Sequence, residues 1–240
     1  NKGLIVLVDE SHGTHYYFDQ RFGKPSMTKA DMATISVHKT GGSLTQSSML
    51  LHNEKRISKH KVRSVINVMQ TSSASYILLS SLDAARHQLA KEHALDHVYE
   101  LSLYANEVIS TIPHITVERD DIIVEHTTFK KDYSKLLINT EKLGMTGFEV
   151  YDYLKQEHNI QAEVGEVNVV LFIISLGDTK EKIDALKTAL EQIPKQKELL
   201  DTNVEQFILD APIIKLTPRE AFFRETEYVI LEEAVNKIAA

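Results

Sequence analysis

The chain has 240 residues, of which 42% are hydrophobic and 25% charged, with a formal net charge of −7 and no cysteine. That is enough polypeptide for one sizeable core or for two domains. The acidic balance argues against nucleic acid as a partner, because phosphate binding needs a basic face. The apolar runs LIVLV at 4–8 and VVLFIIS at 169–175 are too short to span a bilayer, so no membrane partner is expected. Disulfides and thiolate metal sites are excluded, a composition that suits a reducing cytoplasm. The eleven histidines show no HExxH-type spacing, so no metal is expected.

The chain opens on NKGLIVLVDE, with no initiator methionine and almost directly on a strand-type run, as expected of a piece of a longer protein. LIVLV reads as a strand buried on both faces, as in a parallel sheet, ending at Asp9 and Glu10. A polar, aromatic loop follows. MATIS predicts a shorter strand ending at His38 and Lys39, and SSMLLH at 47–52 a third. Residues 53–69 have roughly helical apolar spacing, and residues 74–106 carry a clearer apolar stripe. Strands with long helical segments between them predict an α/β domain over about 1–108.

After Pro113 the pattern changes. ITVERDDIIVEHTT and YSKLLIN read as strands, and a helix should start at Thr146, which stands at capping-box spacing from Glu149. IQAEVG and NVVLFIISLG follow as strands, and Asp178, with Glu181 three positions on, is expected to cap the next helix. This β-α-β-β-α order predicts a smaller α+β domain over 109–240. PKQKELLDTN reads as a linker or exposed turn. The segment starting TPREAFF is the last with any pattern, and LEEAVNKIAA looks cut short.

Asp9 and Lys39 fall at strand ends, thirty positions apart. In open α/β sheets ligands bind outside the carboxyl ends of strands, so the two side chains can face one crevice. A lysine amine there suits Schiff-base chemistry, in which a partly desolvated amine attacks a carbonyl. With pyridoxal phosphate, the lysine takes the aldehyde carbon and a carboxylate holds the pyridine nitrogen protonated. Ser36 and His38 are suited to the phosphate. Taken singly, each residue has a plainer reading: a solvated lysine, a turn-capping aspartate, a structural histidine. TGGS is too short for a Walker loop.

The order of these residues resembles the Orn/Lys/Arg decarboxylase family, pyridoxal-phosphate enzymes of the aspartate-aminotransferase fold (fold type I). The resemblance rests on VDESHG at 8–13, ISVHKTGGSLTQSSML at 35–50 and MQTSSASYILLSSLDAAR at 69–86. It continues through LGMTGFEVYDYLKQEHNIQAEV and IISLGDT to LTPREAFF. It implies the lysine-bearing half of a large, mostly parallel domain followed by the small one. Lys39 would be the catalytic residue bonded to the cofactor, with His38 as a second proton carrier. Asp9 would pair with the pyridine nitrogen, and His12 would lie by the ring and its phenolic oxygen. Ser36 and His38 would hold the phosphate, and Thr71 would reach a phosphate in the partner subunit of a homodimer. The implied reaction is decarboxylation of lysine, arginine or ornithine to the amine, as in polyamine metabolism. Another fold type I reaction (amino or acyl transfer) and a non-catalytic scaffold stand as alternatives, because the fold does not fix the chemistry. The family's upstream phosphate loop and ring-stacking residue have no counterpart in this sequence. Arg219 is expected to serve a local structural role rather than bind the substrate carboxylate.

Overall fold

The computed structural model describes residues 3–117, 131–194, 213–235 and 237. They fall into two compact units, Asn1–Leu200 and Asp201–Ala240.

Among the described residues the first unit contains two sheets. Strand β1 (Leu7–Asp9) pairs in parallel with β2 (Met32–Ile35), and β2 pairs antiparallel with β3 (Met49–His52). The antiparallel return differs from the mostly parallel pattern expected. Its cause is the lack of a crossover helix in the β2–β3 connection, since a parallel return has to carry the chain back along the sheet, usually as a full helix. That connection holds a single helical turn, α1 (Val37–Thr40). β1 also departs from the expected buried strand. It pairs only with β2 among the described residues, and Leu4 and Leu7 are 69% and 68% exposed. Its register is fixed from below by Asp31, whose buried carboxylate accepts the Val6 N–H at 2.8 Å and a bond from Arg56 Nε at 2.7 Å.

Helices α2 (Lys59–Met69) and α3 (Tyr76–Leu89) follow, each started by a serine whose hydroxyl accepts a first-turn N–H, Ser58 from Lys61 and Ser75 from Leu78. The long helix expected over 74–106 is in fact two, because the chain turns at 90–95 with His93 at φ 63°. α4 (Asp96–Ile109) then buries Val98, Leu101, Ala105 and Ile109, a three- and four-residue spacing that puts one stripe on the core.

The second sheet has the order β4-β5-β7-β6, from β4 (Thr116–Val117), β5 (Lys135–Asn139), β6 (Val164–Gly165) and β7 (Val169–Ile173), with every pairing antiparallel. β5 and β7 alternate half-buried and buried residues. Their inward side chains Leu136, Ile138, Val170 and Phe172 join α4, α5 (Gly147–His158) and α6 (Lys180–Glu191) in one core. A single core runs from α4 across the second sheet, so the helix before residue 109 packs with the strands after it. We propose a domain division near residue 108, with one sheet on either side of it.

The capping box at Thr146 and Glu149 forms as expected, with the Thr146 hydroxyl accepting the Glu149 N–H at 3.1 Å. Asp178 does not cap α6. Thr179 holds the N-cap position, and the Asp178 carboxylate instead accepts the Ser175 N–H at 2.8 Å, closing the turn before it. Most of ITVERDDIIVEHTT and of PKQKELLDTN lies outside the described residues. None of the described helices is long and apolar enough to cross a membrane. In the second unit, α7 (Pro218–Phe222) starts with a capping box of Thr217 and Glu220, and the Arg219 guanidinium lies 5.2 Å from the Phe223 ring centre.

Candidate active site

Lys39 sits in α1, one turn beyond the end of β2, and Asp9 ends β1 beside it. The parallel pairing of the two strands brings their carboxyl ends to one edge. The Ser36 N–H reaches the Ser11 carbonyl at 3.4 Å, which ties the start of α1 to the loop after β1. An open cavity of about 490 Å³ results, lined by Asp9, Glu10, Ser11, His12, Gly13, Tyr16 and Lys39. That is within the usual size of a small-molecule site, ~300–1,000 Å³.

Inside it, Lys39 Nζ stands 3.0 Å from His12 Nε2. Burial, then the Lys39 and Lys135 charges, hold the His12 imidazole below the ordinary histidine range, against the opposing pull of Glu163 and Asp9. His12 is therefore neutral at pH 7. Nε2 accepts the Lys39 proton, and the ring's own proton lies on Nδ1. Glu163, from the segment leading into β6, adds a carboxylate 3.7 Å from the same Nε2. Asp9 accepts the Ser11 N–H at 3.0 Å and the Ser11 hydroxyl. Those bonds, together with the Lys39 charge, keep its carboxyl below the usual range and ionised.

Of the sequence-expected residues, Asp9, His12 and Lys39 meet around the cavity, whereas Ser36, His38 and Thr71 do not line it. Ser36 precedes α1 without a side-chain cap bond. His38 is committed at one nitrogen, since its Nδ1–H donates to the Ser47 carbonyl at 2.9 Å, leaving Nε2 for other work. Thr71 is exposed in the α2–α3 loop, where its hydroxyl accepts the Ser73 N–H at 3.1 Å, and Ser75 caps the helix that follows.

Six participants were not anticipated from sequence: His15, Tyr16, Asp132, Ser134, Lys135 and Glu163. The Asp132 carboxylate, at the start of the second sheet, accepts His15 Nε2–H at 2.9 Å and Tyr16 O–H at 3.0 Å. Its other oxygen accepts the Ser134 N–H at 3.0 Å and hydroxyl at 2.7 Å. Burial pushes this carboxyl up, but the His15 hydrogen bond, the charges of His15 and Lys135 and the Ser134 bond hold it down to about 2. Lys135 Nζ lies 3.6 Å from it, buried and outside hydrogen-bond range, and burial lowers that ammonium's pKa. His15 and Asp132 are 117 positions apart. No local pattern connects them, and Asp-Tyr-Ser before a strand reads as an ordinary turn.

An ionised strand-end carboxylate, a neutral histidine and a solvent-accessible lysine around one cavity form a lysine site of the α/β class. Residues 1–129 match the family Orn/Lys/Arg decarboxylase, major domain, and the chain belongs to that family. An arginine decarboxylase of Bacillus cereus is 36% identical over 243 residues, covering 99% of this chain and 53% of its own length. One from Bacillus subtilis is 36% identical over 241 residues, covering 98% and 49%. The chain thus spans about half the length of the curated relatives it matches. Among solved structures, lysine decarboxylase A from Pseudomonas aeruginosa superposes with a TM-score of 0.62 at 17% identity, over 78% of this chain and 32% of that one. The Francisella novicida lysine decarboxylase LdcF gives 0.61 at 20%, over 77% and 31%. A NifS-like protein from Rickettsia africae gives 0.55 at 15%, over 79% and 53%. The fold is the mixed α/β fold type I expected from the sequence.

Proposed function

We propose that the protein decarboxylates a basic amino acid with pyridoxal phosphate held at Lys39. The observation that carries this reading is the meeting of Lys39, His12 and ionised Asp9 around one cavity in a chain of this family. The residues present fit the cofactor: an accessible amine for its aldehyde, a fixed anion for its ring nitrogen, and space for the ring between them. When bound, pyridoxal phosphate supplies an electrophilic carbon for the amine and a protonated ring that takes up the electrons freed as carbon dioxide departs.

The chain's own groups do the rest. His12 Nε2 takes the proton that Lys39 must lose before its amine becomes a nucleophile. Asp9 holds the ring nitrogen in its protonated form through charge. His38 and Ser36 would hold the phosphate, His38 having its Nε2 free of the bond that Nδ1 makes to Ser47. Lys39 is the better placed of the two proton carriers for the substrate carbon, because His38 lies outside the cavity lining. Glu163, half-exposed beside His12, is an anion available to a cationic substrate side chain. Thr71, which does not line the cavity, would serve a second copy of the chain in a homodimer. Arginine is the first substrate to test, because both curated relatives named above are arginine decarboxylases. The amine formed would be a polyamine precursor, and we place the reaction in the cytoplasm.

The test is incubation with pyridoxal phosphate and arginine, lysine or ornithine, with carbon dioxide and amine measured. One basic amino acid should give stoichiometric carbon dioxide and its amine, and Lys39→Ala should abolish both turnover and the visible absorbance of bound cofactor. A keto acid formed without carbon dioxide, or an unchanged cofactor spectrum in Lys39→Ala, sinks the reading.

A further inference from the structure

Between the lysine turn and the second sheet lies a wedge, the 3-10 turn Thr14–Tyr17 that follows His12 after a single residue. That residue, Gly13, has no room to relax: an added Cβ would stand 2.4 Å from Glu10 Cγ and 3.0 Å from Tyr16 Cδ2. On one side the wedge abuts α1, where a Cβ at Gly41 would stand 2.9 Å from Thr14 Cγ2. Its other side is pinned by Asp132. Both His15 and Tyr16 donate to one oxygen of that carboxylate, and Ser134 saturates the other. The His15 and Asp132 side chains are 4% and 6% exposed. Phe22 stacks edge-on against the His15 ring at 4.9 Å, and the Tyr16 ring packs beside it at 4.4 Å before continuing into the cavity wall.

We propose that Asp132 is a positioning residue for the reaction: through His15 and Tyr16 it fixes the turn that holds His12 Nε2 against Lys39 Nζ. The proposal rests on the reading of Lys39 and His12 as the reacting pair. A buried carboxylate is costly to keep ionised, and replacing such a group by apolar residues is often neutral or better for stability. What an apolar residue cannot supply is a directional hold on two neighbouring side chains of a loop, and the acceptor geometry here supplies it. The 3.0 Å His12–Lys39 contact has little tolerance, since a hydrogen bond weakens steeply with misalignment.

The groups facing His12 are Lys39 from α1, Lys135 from β5, Glu163 from the segment before β6, and Asp9 from β1. The experiment measures the His12 titration by side-chain NMR in the cofactor-free chain, with the resonance assigned through His12→Gln. Lys39→Met should raise the His12 midpoint, because it removes a nearby cation. In an Asp132→Asn background that response should lose roughly half or more of its size, the mark of a broken coupling in a double-mutant cycle. Tyr16→Phe removes one of the two holds without touching the buried charge, and should lose a smaller share. A merely structural aspartate leaves the response intact in every folded variant. A His12 titration indifferent to Lys39→Met in the parent chain overturns the proposal, as does a full response in Asp132→Asn. If Asp132→Asn does not fold, Tyr16→Phe decides, and an undiminished response there overturns it. Because the readout needs neither cofactor nor turnover, a failed decarboxylation assay leaves this result standing on its own.

Discussion

Asp9 and His12 have different neighbours, and their titration should separate them. Glu163 pulls the His12 midpoint up from beside it, so Glu163→Gln should lower that midpoint further and extend neutral His12 toward acid. An NMR titration of the His12 ring checks the sign, and the acid limb of turnover should move the same way. Asp132 predicts a different pH effect, on stability. Its folded pKa, about 2, lies below the unfolded value of ~3.9. The stabilisation it contributes is therefore present above pH ~4 and is lost as the pH falls toward 2. Denaturant unfolding at pH 6 and pH 3 should show a drop that Asp132→Asn, already destabilised at pH 6, shows to a smaller extent. Asp9 was legible in the sequence because a strand end announces itself by a switch from apolar to polar residues, whereas Lys39, expected at the end of β2, sits one helical turn beyond it. Asp132 and Glu163 were not, because their partners lie across the fold and nothing local marks them.

At the scale of elements, local rules predicted well where the partners are close in sequence. The Thr146–Glu149 box is such a case, and Thr146→Ala should cost about 1 kcal/mol in unfolding free energy. Asp178 shows the limit of the same rule. Aspartate suits a helix N-cap and an Asx turn equally, and here the turn at Ser175 claims it, one residue early. The break between α3 and α4 was likewise missed, although the apolar stripe resumes after it out of phase, Leu89 and Val98 being two and a half helical turns apart. Gly147 and Gly165 mark where α5 meets the β6–β7 hairpin. A Cβ at Gly147 would stand 2.0 Å from the Val169 carbonyl oxygen and 2.4 Å from that of Glu166. Gly147→Ala should therefore destabilise the chain by roughly 1–3 kcal/mol or more, measured by denaturant unfolding. It should also disturb His12, because Glu163 leads into that hairpin.

For the whole molecule, β1 and the α2–α3 pair expose apolar side chains, among them Leu4, Leu7, Val68, Met69, Tyr76 and Ile77. Open strand edges and apolar patches of this kind favour association. Leu7→Lys with Val68→Lys should leave the unfolding midpoint nearly unchanged and reduce self-association, read by light scattering at rising concentration. The sequence supplied the strand at β1 but not its exposure, because an apolar run looks the same whether or not both sides are paired. The long reach of the His15–Asp132 bond has a consequence in time as well as in space. Contacts between residues more than a hundred positions apart form only after a large loop has closed, and such closures slow folding. Helical signal should accordingly recover early on refolding, while the environment of His12 appears last. A newly made chain would pass through a stage in which Lys39 lacks its His12 partner, and acquire that contact only when the second sheet locks on.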